Sequence, residues 1–261
     1  MAHWIRFEQG GRIGIGMLGG GTIAVHDGDL FDTPKPTGET LDLAAVKVLI
    51  PCVAGKMICL WNNFAANAAK QNLPRPADPL WFVKAASSYL AHGEAIRRPR
   101  SYDGKIVYEG ELGIVIGGRA SNITEAEAAD CIFGYTCVND VTAMELIAKD
   151  ATFAQWTRSK SFDTFGVFGP VIATGLDPMA LTVRTVLNGT ERQNYPVNDM
   201  FFPPAKLVSL LSADLTLMPG DVIACGTSIG VGVMSKPENT VDVTIEGIGT
   251  LSNSFAQTPV G

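Results

Sequence analysis

The sequence predicts a mixed α+β fold that is rich in β-strands, and two patterns along the chain support this expectation. Residues 1–50 carry short apolar runs separated by glycine pairs, a pattern typical of strands joined by tight turns. From residue 170 onward, short apolar and β-branched runs again alternate with turn residues. An apolar content of 46% gives the 261-residue chain ample material for a core.

Composition narrows the classes of partner and compartment. A net charge of −6, a pI near 5.1 and the lack of a Lys/Arg run argue against nucleic acid. The first residues do not resemble a signal peptide, and no apolar run approaches the roughly 18 residues of a membrane helix. Five scattered cysteines without a C-x-x-C pair favour reduced thiols in the cytoplasm over disulfides or zinc.

The first 50 residues predict a small β-rich module, followed by a larger domain over residues 51–261. Residues 33–38 hold two prolines and a glycine and are expected to form a linker, with the boundary between residues 35 and 55. Residues 14–19 match the dinucleotide pattern G-x-G-x-x-G. That interpretation is rejected because β-branched residues follow, where the motif requires a helix.

The middle of the chain predicts short strands and short helices in alternation. Strands are expected at 53–60, 81–84, 108–117 and 135–138. An alanine-rich helix is expected at 64–72, and a capping box at Thr124 and Glu127 opens a second helix that Gly134 ends. Residues 85–100, with His92, are turn-rich, and residues 155–165 are expected to form an ordered loop.

The last third predicts four strands and one amphipathic helix. The strands are expected at 171–174, 182–187, 222–225 and 241–245. Asn188-Gly189 is a turn signal after the second of them. The helix is marked by Leu207, Leu210 and Leu211.

Two glutamates stand one residue apart at the start of the strand over residues 108–117. In an extended chain Glu109 and Glu111 project from the same face, and two parallel anions repel unless a cation or shared proton lies between them. With Asp140 they would form an oxygen-ligand triad suited to Mg²⁺ or Mn²⁺. A solvated strand edge is the alternative, and spacing alone does not bring Asp140 to the pair.

Residues 226–230 match the serine nucleophile motif G-x-S-x-G. Serine hydrolysis in that arrangement needs a later histidine, whereas all three histidines precede the motif, and glycines follow where a helix is required. A glycine-rich loop holding Thr227 remains, suited either to close approach of a small anion or simply to a tight turn.

Five segments together resemble the fumarylacetoacetate hydrolase family over about residues 50–255. They are Tyr108-Glu109-Gly110-Glu111-Leu112, the stretch 134–140, the stretch 155–164, the stretch 219–227 and Ile245-Glu246-Gly247-Ile248-Gly249. The resemblance implies a rolled β-sheet core with a small N-terminal module, and a homodimer. It also implies Mg²⁺ or Mn²⁺ held by Glu109, Glu111 and Asp140.

The same resemblance implies activity on small 2-oxo or 2,4-dioxo acids, including products of aromatic ring cleavage. The position matching Lys160 lies against the metal-bound substrate, and the position matching Thr227 touches its carboxylate. A hard cation and a nearby ammonium stabilise a pyruvate enolate, so this chemistry needs no covalent nucleophile. We expect Lys160 and His92 to be catalytic, with Lys84, Asn63 and Thr227 on the substrate.

The chain departs from the family pattern near residue 64. Asn67 and Lys70 stand where hydrolytic and decarboxylating members typically carry a His and a Glu that handle water; Met144 and Ile147 replace an Arg and a Gln. Three interpretations follow. The first is hydrolysis of an acylpyruvate-type C–C bond, in which His92, Lys84 or metal-bound water replaces the base. The others are a tautomerase or decarboxylase, and a metal-dependent oxo-acid binder without turnover.

Overall fold

The computed structural model describes residues 1–258, and its first 50 residues form strands. These strands are β1 (Ala2–Gln9), β2 (Arg12–Gly19), β3 (Thr22–Asp27), β4 (Lys35–Asp42) and β5 (Lys47–Val48). Glycine pairs with positive φ turn the chain between β1, β2 and β3, as predicted. The predicted linker at 33–38 is wrong over most of its length, because β4 begins at Lys35 and pairs with β3.

The middle of the chain contributes nine strands and three short helices. The strands are β6 (Met57–Trp61), β7 (Leu80–Lys84), β8 (Tyr89–Leu90), β9 (Ala95–Arg97), β10 (Ile106–Tyr108), β11 (Gly110–Ile116), β12 (Ile132–Asp140), β13 (Thr142–Ala143) and β14 (Gly166–Thr174). The helices are α1 (Ala65–Gln71), α2 (Glu125–Cys131) and α3 (Trp156–Lys160). The predicted capping box of α2 is present, with Thr124 and Glu127 bonded reciprocally.

Two predictions for this region are wrong. Helix α2 ends at Cys131, and Gly134 lies within β12, where a Cβ would overlap the carbonyl oxygen of Ala173 on the neighbouring strand. That glycine therefore serves strand packing and not helix termination. The predicted loop at 155–165 contains α3, whose last residues, Ser159 and Lys160, are buried.

The last third adds six strands and the longest helix of the described chain. They are β15 (Thr182–Leu187), β16 (Thr190–Pro196), α4 (Pro204–Asp214), β17 (Val222–Ala224), β18 (Gly232–Val233), β19 (Glu238–Ile245) and β20 (Gly249–Ala256). Asn188 and Gly189, both with positive φ, turn the chain from β15 into β16 as predicted. The β-rich α+β fold class is confirmed.

Three sheets organise the described strands. The largest has the order β4-β3-β2-β1-β14-β12-β11-β17-β6-β7, with β5 and β8 attached to β1 and β14. The second has the order β16-β15-β19-β20-β9, and the third β13-β10-β18. Because β1 pairs with β14, residues 1–50 extend the large sheet. Their division from residues 51–261 stays a prediction.

Strand β11 lies at the centre of the apolar packing, and all of its residues are buried. Leu112, Ile114 and Ile116 join the larger hydrophobic cluster, whereas Val115 joins a second cluster that contains Met57. A charged group at the start of β11 is therefore poorly solvated and needs charged or polar partners. Within residues 1–258, none of the helices has the length and apolarity that crossing a membrane requires.

Candidate metal centre

The three predicted acids meet where β10, β11 and β12 come together. Glu109 lies between β10 and β11, Glu111 is on β11, and Asp140 ends β12. One carboxylate oxygen from each lies within 4.8 Å of the others. The backbone enforces this: the Asp140 amide donates to the Glu109 carbonyl at 2.9 Å, and the Glu109 amide donates to Oδ1 of Asn139 at 3.0 Å.

Two buried lysines neutralise part of this negative charge. Nζ of Lys160 donates to Oε2 of Glu109 at 2.8 Å and to Oδ2 of Asp140 at 2.6 Å. Nζ of Lys84 donates to Oδ1 of Asp140 and, at 3.1 Å, to the Val141 carbonyl. Both predicted lysines therefore reach the triad. Two lysine side chains thus face three acidic side chains.

The pKa values of these groups follow from their partners. Burial alone would raise the pKa of Asp140, but Lys160 and Lys84 outweigh it and hold that pKa below its usual range. Burial alone would lower the pKa of Lys160, yet Asp140, Glu109 and Glu111 raise it instead. Lys160 is thus a protonated ammonium at neutral pH.

Glu111 has the opposite electrostatic surroundings. Its Oε2 accepts one hydrogen bond from the Gly226 amide at 2.9 Å, while its buried Oε1 has no hydrogen-bond partner among the described residues. Burial, followed by repulsion from Asp140 and Glu109, raises the pKa of Glu111 well above its ordinary value. An unpartnered carboxylate oxygen in an all-oxygen donor set fits a hard divalent cation.

The triad is most open at Glu109, whose side chain is 14% exposed against 1% for Asp140. Oε1 of Glu109 also accepts a hydrogen bond from Oγ1 of Thr142 at 2.7 Å. That threonine, on β13, had not been singled out from the sequence. An isolated threonine two residues after an acid carries no recognisable signal.

Thr227 contacts the chain segment that carries Glu109 and Glu111. Its Oγ1 donates to the carbonyl of Gly110, the residue between Glu109 and Glu111, at 3.0 Å. Two buried β16 residues that the sequence did not indicate, Gln193 and Tyr195, also contact Gly110: its amide donates to Gln193, and its carbonyl accepts from Tyr195. Both lie on the buried face of the strand, but the sequence TERQNYP has no apolar alternation that would mark this face or its partner.

Asn63 uses its amide on backbone groups. Its Oδ1 accepts from the Phe202 amide at 3.0 Å, and its Nδ2 donates to the Cys225 carbonyl at 2.9 Å. On α1, Nδ2 of Asn67 donates to the Thr227 carbonyl at 3.4 Å, whereas Lys70 is exposed. These contacts hold the segment ahead of Thr227, and substrate binding by Asn63 stays a prediction.

His92 lies against β20. Its Nδ1 accepts a hydrogen bond from the Ser252 amide at 3.1 Å. Burial lowers its pKa, and the nearby Asp242 opposes this shift. The described hydrogen bond of His92 therefore belongs to the five-stranded sheet and not to the acid triad, and its catalytic role stays a prediction.

Aromatic rings border the Lys160 ammonium. Nζ of Lys160 lies 5.3 Å from the centre of the Phe82 ring, which stacks on Trp156 with ring centres 5.4 Å apart. Trp61 contacts Trp156 at 5.0 Å. Because ring faces attract cations, the contact with Phe82 adds to the carboxylates in stabilising the Lys160 ammonium in its position.

A β-rich fold with three clustered carboxylates and a buried lysine pair defines a class of divalent-metal-dependent enzyme. The profile described as fumarylacetoacetate (FAA) hydrolase C-terminal matches residues 56–256, and one described as Rv2993c-like, N-terminal matches residues 2–51. The chain belongs to the fumarylacetoacetate hydrolase family, as its motifs indicated.

Similar proteins from this family cover most of the chain. Protein Rv2993c of Mycobacterium tuberculosis is 41% identical over 88% of this chain and 85% of its own. The oxaloacetate tautomerase YisK of Bacillus subtilis is 35% identical over 90% and 83%. The crystal structure of a 2-hydroxyhepta-2,4-diene-1,7-dioate isomerase from Mycobacterium marinum has a TM-score of 0.89 at 35% identity, covering 98% of both chains.

Proposed function

We propose that this enzyme is a tautomerase that interconverts the keto and enol forms of a small 2-oxo dicarboxylic acid. The observation that carries the proposal is the acid triad with its two buried lysines. Glu109, Glu111 and Asp140 would hold Mg²⁺ or Mn²⁺. Support for the substrate class comes from the B. subtilis relative, which acts on oxaloacetate, and the M. marinum neighbour, which is an isomerase of a dioate.

The divalent cation, when bound, supplies a Lewis acid for the oxygen atoms of the 2-oxo acid. The chain's own contribution is charge held in fixed positions. Lys160 keeps its proton because three carboxylates surround it, so it acts as an electrostatic stabiliser of an electron-rich substrate oxygen and not as a base. Lys84 holds Asp140 in place through one carboxylate oxygen and leaves the other to Lys160.

Tautomerisation suits the residues on α1 better than hydrolysis of an acylpyruvate, the first expectation from the sequence. Hydrolysis needs a group that takes a proton from water. The Asn67 amide does not accept protons in this way, and at the second position an exposed lysine, Lys70, stands in place of a carboxylate. Keto–enol exchange moves one proton from the carbon next to the keto group to the keto oxygen, by way of solvent, and it consumes no water. The loss of a pair that activates water therefore affects it less than hydrolysis.

The proposal is tested by incubating the enzyme with freshly dissolved oxaloacetate, and separately with acylpyruvates, plus Mg²⁺ or Mn²⁺. We expect faster loss of enol absorbance from oxaloacetate with no change in mass. Release of pyruvate and a second acid would instead establish hydrolysis, and release of CO₂ would establish decarboxylation. Binding of oxalate without turnover of any substrate would indicate an oxo-acid binder.

Glu109→Ala gives the matching test of the metal centre. We expect a loss of about 100-fold or more in turnover, because the triad loses a ligand and Lys160 loses a partner. Glu246→Ala, which removes an exposed carboxylate, is the control and should keep its activity. Full activity of the unmodified enzyme in excess chelator would contradict the metal assignment.

We also infer a homodimer in the cytoplasm. The family resemblance supports the dimer, and the scattered free cysteines support a reducing compartment. Sedimentation or light scattering of the purified protein tests the first point. A role in breaking down aromatic ring-cleavage products rests on the same resemblance.

A further inference from the structure

One side chain, that of Gln193, contacts both Thr227 and Gly110, the residue between the two glutamates. It lies on β16 and is 1% exposed. Its Oε1 accepts a hydrogen bond from the Gly110 amide at 3.0 Å, and its Nε2 donates to Oγ1 of Thr227 at 2.8 Å. Since the Gly110 amide can only donate, the side-chain oxygen must face it, and this fixes the orientation of the whole amide.

That orientation determines which group accepts the hydrogen bond that the Thr227 hydroxyl donates. The hydroxyl oxygen accepts from Gln193, so its own hydrogen goes to the Gly110 carbonyl at 3.0 Å. The same carbonyl accepts a shorter hydrogen bond, 2.6 Å, from the hydroxyl of Tyr195. Gly110 would therefore keep a donor if Thr227 turned its hydrogen toward a ligand.

Exposure makes Thr227 the member of this network that a ligand can reach. Gln193, Tyr195 and Gly110 are buried, whereas Thr227 is partly exposed. A substrate carboxylate needs hydrogen-bond donors, and a hydroxyl whose oxygen is already held by a donor can offer its hydrogen to the carboxylate by a rotation of the O–H bond alone.

We propose that Gln193 is a positioning residue with two roles. It prepares the Thr227 hydroxyl to donate to a substrate carboxylate, and it fixes Gly110, the residue between Glu109 and Glu111. This inference rests on the proposed function for the identity of the substrate as a 2-oxo acid. Gln193 touches neither substrate nor metal in this scheme. It acts through Thr227 on one side and through Gly110 on the other.

Two substitutions separate these effects. In Gln193→Glu the new carboxylate can still accept from the Gly110 amide, but it also accepts from Thr227 and so competes for its hydrogen. In Gln193→Leu both contacts are lost. Asn194→Leu is the matched control, because it removes an exposed amide from the next position of the same strand, on its opposite face.

The measurements are titration calorimetry with Mg²⁺ alone and then with oxalate at saturating Mg²⁺, on variants whose thermal unfolding midpoint shows that they fold. We expect Gln193→Glu to weaken oxalate binding by about tenfold and to leave Mg²⁺ binding within about threefold. Gln193→Leu should weaken both, and Asn194→Leu neither. Tyr195→Phe should weaken oxalate binding by a few fold, because Gly110 then holds the Thr227 hydrogen more firmly.

Oxalate binding by Gln193→Leu within about twofold of the unmodified enzyme would overturn the inference. So would a greater loss of Mg²⁺ than of oxalate affinity in Gln193→Glu. If Gln193→Leu does not fold, Gln193→Glu and Tyr195→Phe decide the question. These binding measurements do not depend on turnover. Lack of activity on 2-oxo acids would refute the proposed function, whereas the oxalate and Mg²⁺ affinities of the variants test the role of Gln193 separately.

Discussion

At the scale of single residues, Asp140 and Glu111 lie in one site, but their surroundings shift their pKa values in opposite directions. Each oxygen of Asp140 accepts from an ammonium group, whereas Glu111 has one backbone donor and one unpartnered oxygen. Their pKa values accordingly move apart, down for Asp140 and up for Glu111. Of these two acids, Glu111 is therefore the one that holds a proton more readily, and a cation bound there would compete with that proton.

We expect metal binding to release a proton from Glu111 and to tighten as the pH rises. The sign follows because a raised pKa keeps the acid form populated above the ordinary range of a glutamate, while the cation needs the carboxylate. Calorimetric titration with Mg²⁺ in two buffers of different ionisation enthalpy measures the proton count. Glu111→Gln, which cannot ionise, should show no such release. Affinity that stays constant with pH would contradict this assignment.

At the scale of elements, β11 positions the site by being fixed on both sides of Gly110. The Gly110 amide donates to Gln193, and its carbonyl accepts from Tyr195 and Thr227. A Cβ at this position would overlap Oγ1 of Thr185 on β15. The five-stranded sheet therefore packs so closely on β11 that the residue between the two glutamates has to be glycine.

Gly110→Ala is expected to lower the free energy of unfolding by about 1–3 kcal/mol and to weaken Mg²⁺ binding, because the overlap displaces Glu109 and Glu111. Thr185→Ala in the same chain removes the overlapping oxygen and should recover part of both losses. Thermal unfolding and metal titration measure them. Gly19→Ala, where a Cβ meets open space, is the control. Equal effects at positions 19 and 110 would argue against the packing explanation.

At the scale of the whole molecule, the N-terminal strands and the metal centre belong to one continuous sheet. Strand β1 pairs with β14, which pairs in turn with β12. Asp140, at the end of β12, lies opposite Gly166 of β14. Along its other edge, β14 is covered by β1 at residues 172–174 and by β8 at residues 166–167, the end that lies beside Asp140.

Deleting residues 1–50 is expected to give a protein that aggregates and loses its metal affinity, because the edge of β14 would be exposed. Sedimentation and Mg²⁺ titration of the truncated chain measure the outcome. Ile5→Ala, at a buried position of β1, should lower the free energy of unfolding by about 2–5 kcal/mol. Ile13→Ala, at an exposed position of β2, should change it little. A soluble truncated chain with unchanged metal affinity would show that residues 51–261 fold alone, as the sequence division predicts.

Local physics accounts for the parts of the fold that the sequence predicted well. The capping box at Thr124 and the Asn188-Gly189 turn depend on neighbouring residues, so their chemistry can be read from short segments. The prediction that Gly134 ends the helix was wrong because it, too, was based on a short segment alone. Glycine after a helix pattern normally marks its end, but here the strand partner required it, and that partner lies far along the chain.

The sequence by itself determined the β-rich fold class, the two glutamates facing one way and an oxygen-only ligand set, because alternation and residue chemistry are local properties. The family resemblance placed Asp140 with the glutamates, and the structure brings the three together. Only the tertiary structure decided that Lys84 and Lys160 both reach Asp140 and that Gln193 holds Gly110 and Thr227. Those contacts join residues from 20 to 83 positions apart. Which of them meet is settled by strand order and sheet packing, and neither is encoded in any short stretch of chain.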